Sequence, residues 1–351
     1  MDLFGFHFSY LSLYILALLL IAFIVQIYYY TRYFMGIIRH NKLTDNEEVK
    51  FANDKQAVSV IICARDEEDN LRKYLPFVLE QDYDNYEVIV INDGSTDGTD
   101  DYLAYMSKQY SEKLRTSFVP RGATNISTKK LGLTLGIKAA KNDLLLFTDA
   151  DCMPEGKDWL SSMTRNFDED TEFVLGYGGY LHEKGFLNKI IKYDTLFAAL
   201  QYLGMAEAGK PYMGVGRNLA YRKETFFKMK GFASNLNLKS GDDDLFVNQG
   251  ANADNTRIEA SSASITWSEP KKTFKDWALQ KERHLSVSDR YSSSSKIRLA
   301  TEPISRFFFY ISLTLLILVA SLSYNWILVG LSSIIFISRY LLQLYVINNS
   351  A

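Results

Sequence analysis

The sequence predicts an α/β protein: a mostly parallel sheet with helices on both faces, set between one N-terminal and two C-terminal transmembrane helices. Three observations predict this. Long uncharged apolar runs sit near both ends of the 351-residue chain. In the middle, short and nearly continuous apolar runs alternate with helix-periodic stretches, the pattern of βαβ units. Acidic turns follow three of those apolar runs, where open parallel sheets bind their ligands.

Residues 8–30, FSYLSLYILALLLIAFIVQIYYY, carry no charge and exceed the roughly 20 residues that cross a bilayer, with a tyrosine cluster at interfacial depth. The run is too long for a signal-peptide core and is read as a retained anchor. Residues 31–55 are read as a linker. Within the domain expected over 56–290, the runs at 58–63, 87–92 and 143–148 predict strands buried on both faces. Stretches 67–80, 98–110 and 129–140 predict the crossover helices. Residues 186–205 alternate at helical spacing with Lys189 and Lys192, and predict a helix lying along the membrane surface. A serine-rich linker is expected over 291–306, then a transmembrane hairpin over 307–347, split at Ser323-Tyr324-Asn325 and interrupted by Arg339, which is expected to snorkel to the cytosolic interface or to meet a lipid phosphate.

Lys and Arg near a span are retained on the cytoplasmic side. Arg32, Arg39 and Lys42 follow the first span, and Lys296, Arg298 and Arg306 precede the second, so the central domain is expected on the cytosolic face. A net charge of −2 lacks the basic excess that nucleic-acid binding needs. Cys63 and Cys152 lack metal-ligand spacing and read as small buried residues of a reduced compartment.

The chemistry concentrates after the strands. Ala64-Arg65-Asp66-Glu67-Glu68 follows the first, Asn92-Asp93-Gly94-Ser95-Thr96-Asp97-Gly98 the second, and Asp149-Ala150-Asp151 the run ending at Thr148. Carboxylates converging on one sheet edge repel each other unless a divalent cation or polar ligand sits among them. Asp149 and Asp151, two residues apart at a strand end, can both reach a Mg2+ or Mn2+ that also holds a diphosphate. Asp93 is placed to accept a hydrogen bond from a nucleobase or ribose.

In their order and spacing these segments resemble the family 2 inverting glycosyltransferases of the GT-A fold, a Rossmann-like architecture, over residues 57 to about 290. VSVIICARDEEDNL is similar to the family's first strand and nucleotide loop. EVIVINDGSTDGT resembles its second-strand aspartate motif, and KKLGLTLGIKAAKNDLLLFTDADC its lysine helix and metal-binding Asp-X-Asp. The resemblance implies nucleoside contacts from Ala64, Glu67 and Asp93, a donor contact from Lys129 or Lys130, and metal and diphosphate binding by Asp149 and Asp151. GVGRNLAYRK implies sugar-side roles for Gly216, Arg217 and Asn218. SGDDDLF implies a catalytic base at Asp242, with Asp243 as the second candidate. QKERH resembles the family's Gln-X-X-Arg-Trp motif, so Gln280, Arg283 and His284 are expected near the diphosphate and acceptor, with histidine standing where the family has tryptophan. Asp66 and Asn92 stand where the family commonly has Asn and Asp.

The implied activity is transfer of one sugar from a UDP- or GDP-sugar to a lipid-linked or glycan acceptor at a bacterial plasma membrane. Membrane lipids and a nucleotide-sugar are the implied partners. The alternatives are a processive polysaccharide synthase and a catalytically silent nucleotide-binding scaffold.

Overall fold

The computed structural model describes residues 2–3, 6–7, 9–52, 56–119, 127–238 and 240–350. The chain divides into two compact units, residues 40–291 and residues 1–39 with 292–351.

Residues 40–291 are built on a seven-stranded sheet. Its centre is β1 (Val58–Ala64), flanked by parallel β2 (Tyr86–Asn92) and by β4 (Leu144–Phe147), with β3 (Leu114–Phe118) outside β2. Helices α1 (Glu68–Leu79), α2 (Thr99–Gln109) and α3 (Thr128–Ala139) supply the crossovers. Every residue of β2 and β4 is buried, as their unbroken apolar runs require. The sequence reading has no counterpart for β3: as an edge strand it buries only Leu114, with the other four residues half-buried or exposed, so its apolar signal is thin.

Register brings the site residues together. Ala64 lies opposite Asn92 on one side of β1, and Ile61 lies opposite Phe147 on the other. The turns after these strands therefore open on the same edge. β8 (Leu219–Arg222) inserts antiparallel between β4 and β6 (Phe173–Leu175), with Leu219 opposite Phe147, so residues 216–218 arrive at that edge from the opposite chain direction. α3 packs closely on the sheet because Gly136 has no side chain: a Cβ there would stand 2.6 Å from Ile91 Cδ1 and 3.0 Å from Ile61 Cγ2.

A second, three-stranded sheet orders β5 (Cys152–Pro154), β10 (Thr266–Ser268) and β7 (Gly178–Tyr180), placing Ser268 opposite both Cys152 and Tyr180. Helix α5 (Phe186–Glu207) corrects the expectation of a membrane-surface helix over its whole length. Leu200, Leu203 and Met205 are at most 1% exposed and belong to the core, and outward apolar side chains such as Phe186 and Tyr193 lie in its first half. A membrane-surface helix and a core helix share one helical periodicity, and tertiary burial decides between them.

The other unit contains helices Tyr10–Tyr29, Ser293–Leu322 and Trp326–Ser350, all long and apolar enough to cross a membrane. Phe8 of the expected span and residues 53–55 of the expected linker lie outside the described residues. Both linkers need correction. A π-helical turn, Tyr30–Phe34, carries the first helix toward the helix Gly36–Asp45, and the serine-rich stretch at 292–295 begins the second helix rather than a loop. Ser292 caps it, its hydroxyl accepting from Ser295 N. Loss of apolarity marks where a span ends, whereas backbone hydrogen bonding lets the helix run beyond it. The expected break at Ser323-Tyr324-Asn325 is present, with Tyr324 at φ 54°.

Arg339 does not snorkel. It is 2% exposed, its Nε and Nη2 donate to Gln26 Oε1 at 3.0 and 2.6 Å, and its Nη1 donates to Tyr310 Oη at 3.0 Å. Gln26 in turn donates to Ser305 Oγ at 2.9 Å. Inside a helix bundle, acceptors on neighbouring helices satisfy a guanidinium that lipid could not.

Candidate active site

The nucleoside side is assembled from the first two strand ends. Asp93 N donates to the Ala64 carbonyl at 2.7 Å, and Asp93 Oδ2 accepts from Thr128 Oγ1 at 2.8 Å, fixing this acid against the start of α3. Of the two departures from the family pattern, Asp66 ties the two loops together, its Oδ1 accepting from Thr96 N, whereas Asn92 Oδ1 accepts from Ser95 N within its own loop. Glu67 accepts from Asn70 Nδ2 at 2.5 Å. Burial, opposed by that hydrogen bond and reinforced by Asp151 and Asp149, raises its pKa. Glu67 therefore shares one field with the two aspartates.

Asp149, Asp151 and Cys152 offer ligand atoms all within 4.8 Å of one another. Burial and Asp151 push the Cys152 thiol up, so it stays protonated beside Ser268 Oγ at 3.0 Å. The donors left are carboxylate oxygens, which suit Mg2+ or Mn2+ better than a soft metal. The two acids differ. Burial disfavours the charge on Asp149, but Lys129, Arg217 and Arg283 outweigh it and lower its pKa; burial and the neighbouring Asp149 raise that of Asp151. The pair thus carries repulsion that a cation would relieve.

Lys129 stands between this pair and the acidic turn, with Nζ 3.3 Å from Asp149 Oδ1 and 3.2 Å from Asp242 Oδ2. These side chains border a cavity of about 20 Å³ with Cys63, Thr148, Gly216 and Tyr221. Asp243 is spent on backbone: its Oδ2 accepts from Gly216 N and its Oδ1 from Asp244 N, both at 2.8 Å, capping α7 (Asp244–Gly250). Asp242, held only by its ion pair among the contacts above, is the carboxylate better placed to take a proton. Asp244 turns inward, with Oδ1 accepting from Leu245 N at 2.7 Å and Oδ2 from Tyr291 Oη at 2.9 Å.

Burial and Asp243 push the Asp244 carboxyl from 3.8 up to about 7. Between those values the folded chain keeps a proton that the unfolded chain has released, so stability falls as pH rises from the lower value through the higher. Asp244→Asn removes that loss. Its Tm relative to the parent is expected to climb by several degrees between pH 5 and pH 8, and parallel Tm profiles would contradict the assignment.

Two expected site residues are structural instead. Lys130 is completely buried and donates to the carbonyls of Asn235, Leu238 and Ser240 at 2.6, 3.1 and 2.7 Å. Adjacent positions on a helix point about 100° apart, so only Lys129 of the pair faces the edge. Lys130→Met should cost on the order of 3 kcal/mol by stranding buried carbonyls, read as a fall in Tm. Asn218 is also completely buried: its Oδ1 accepts from Trp159 Nε1 at 3.0 Å, and its Nδ2 donates to the Tyr177 and Ser264 carbonyls. No side-chain group of Asn218 remains for a sugar.

Gly216 and Arg217 stay at the edge. Arg217 donates to the Gly178 carbonyl at 2.8 Å and lies over the Tyr180 ring at 4.6 Å. Gln280, on α8 (Phe274–Leu285), donates to Tyr180 Oη at 3.1 Å, and Arg283 and His284 on the same helix are exposed. Thr128, Tyr180 and Tyr291 were not singled out from the sequence. Thr128 directly precedes the lysine pair, whereas nothing local marks the two tyrosines.

Residues 59–227 match the family described as Glycosyl transferase family 2. The chain is 27% identical over 173 residues to a poly-beta-1,6-N-acetyl-D-glucosamine synthase of Staphylococcus aureus (strain MSSA476), a stretch covering 48% of this chain and 40% of the synthase. It is 30% identical over 125 residues to an uncharacterized glycosyltransferase of Haemophilus influenzae, covering 35% of this chain and 36% of that protein. The matched stretches thus span about two fifths or less of these relatives' own length. Among solved structures, the mannosyltransferase PcManGT from Pyrobaculum calidifontis, in complex with GDP-Man and Mn2+, shares the fold at TM-score 0.58 and 16% identity, covering 97% of each chain.

Proposed function

We propose that the protein, whose residues 59–227 match Glycosyl transferase family 2, transfers a sugar from a nucleotide-sugar to a lipid-linked or glycan acceptor at the cytosolic face of a membrane. One observation supports the reading: Lys129 lies within 3.3 Å of both Asp149 and Asp242, so the candidate metal acid and the candidate base carboxylate share one lysine at one sheet edge.

In this reading Asp93 orients the nucleoside, and Asp149 and Asp151 hold a divalent cation, Mg2+ or Mn2+, that supplies charge neutralisation of the diphosphate. The acceptor oxygen attacks the anomeric carbon as the bond from that carbon to the diphosphate breaks, its electron pair leaving with the nucleoside diphosphate. The hydroxyl proton passes to Asp242, and direct displacement inverts the anomeric centre. Arg217, Arg283 and Lys129 add positive charge where the leaving group develops negative charge. The likeness to a protein bound to GDP-Man and Mn2+ and the oxygen donor set support the metal. The three candidate membrane spans support a lipid-linked or membrane-emerging acceptor.

The name of the staphylococcal relative favours a second reading, repeated addition to a growing polymer. Incubating the detergent-purified full chain with a panel of UDP- and GDP-sugars, Mn2+ or Mg2+ and bacterial lipid extract tests both. Chelator-sensitive release of one nucleotide with a single-sugar product is expected. A long product would favour the polymer reading, and silence with every donor would count against transfer altogether.

A further inference from the structure

The acidic turn carries a third carboxylate that the proposed chemistry does not use. Asp244 is 7% exposed, follows Asp242 by two residues, and opens helix α7. A buried carboxylate needs polar partners, and Asp244 has one from its own turn, Leu245 N, and one from far along the chain, Tyr291 Oη at 2.9 Å. Tyr291 is 8% exposed and meets the Tyr212 ring edge-on at 6.0 Å between centroids. Tyr212 is joined to the same helix, its carbonyl accepting from Asn248 Nδ2 at 2.8 Å. The α7 end of the turn is thus anchored from its buried side by the Tyr291 hydroxyl, with the Tyr212 ring and backbone carbonyl beside it, while its open side meets Lys129 through Asp242.

We infer that Tyr291 is a positioning residue, whose phenol, through Asp244, holds the Asp242-bearing turn in register with the lysine and the metal acids. The inference rests on the glycosyl-transfer reading for its catalytic consequence, but the anchoring is a property of the fold. A general base displaced by about 1 Å loses much of its effect, whereas donor binding, made by other loops, is untouched. Burial also raises the pKa of the Tyr291 phenol, keeping it a hydrogen-bond donor toward Asp244.

The test compares the full chain with Tyr291→Phe, which keeps the ring and removes the donor, and with Tyr212→Phe, which removes another phenol of the cluster without touching Asp244. Amide hydrogen exchange and steady-state kinetics are both read. Tyr291→Phe is expected to speed exchange at residues 243–247 by about tenfold or more, and to lower kcat about five- to twentyfold at unchanged donor KM. Tyr212→Phe should do neither. Unchanged exchange at the turn overturns the inference, as does kcat falling equally in both variants, or donor KM rising while kcat holds. If the parent protein turns over no donor, the glycosyl-transfer reading fails instead, and the exchange comparison still decides whether Tyr291 anchors the turn.

Discussion

Asp242→Asn is expected to lower sugar transfer by about 10²–10⁴-fold, the range that a positioned general base contributes, with nucleotide-sugar binding retained. The amide is nearly isosteric and can still accept a hydrogen bond from Lys129, but it cannot take the acceptor proton. Asp243→Asn makes the useful comparison. Both oxygens of Asp243 accept from backbone N–H groups, Gly216 and Asp244 at 2.8 Å, so an amide NH₂ turned toward either donor breaks the cap of α7. That variant should lose Tm along with activity, whereas Asp242→Asn should fold like the parent. Acceptor-dependent nucleotide release, normalised to bound donor, separates them. Substantial turnover remaining in Asp242→Asn would move the base role to Asp243.

Asp151→Asn should behave oppositely with and without metal. In the metal-free protein Asp151 is disfavoured by burial and by Asp149, so removing its charge should leave Tm unchanged or raise it by a few degrees. Added Mn2+ should then stabilise the parent, by about 2.7 kcal/mol at a hundredfold excess over Kd, and leave the variant nearly unmoved. Activity should fall by roughly 10²-fold or more, since the cation's neutralisation of the diphosphate is worth several kcal/mol. Thermal melts with and without Mn2+ check the first part independently of any substrate. A parent protein that Mn2+ fails to stabilise would remove the metal from Asp149 and Asp151.

Much of this was legible in the chain. Uninterrupted apolarity in β1, β2 and β4 betrayed strands buried on both sides, and the acidic turns after them marked the edge of the proposed site, because a parallel sheet can present loops there only at strand ends. The three candidate spans showed by length and apolarity. Lys129 against Lys130, and Asp242 against Asp243, were different. Neighbouring residues of one type carry the same local signal, and only the rotation of α3 and the backbone donors around α7 separate Lys129 from the buried Lys130, and Asp242 from Asp243, which also borders the cavity but has both oxygens bonded to backbone. The same holds for Asn218, whose side chain is used up by Trp159 and two carbonyls distant in sequence.

The sequence by itself determined the classes of element, their order, and the kind of chemistry that a cluster of strand-end carboxylates can perform, since periodicity and residue type are local properties. Only the tertiary structure decided which member of each polar pair is bonded away into backbone, that half of helix α5 is core, that Arg339 is bonded to Gln26 instead of reaching for the interface, and that Tyr291 holds the turn of Asp242. Each of these depends on which groups satisfy a buried donor or acceptor, and those partners come from segments that sequence proximity does not connect.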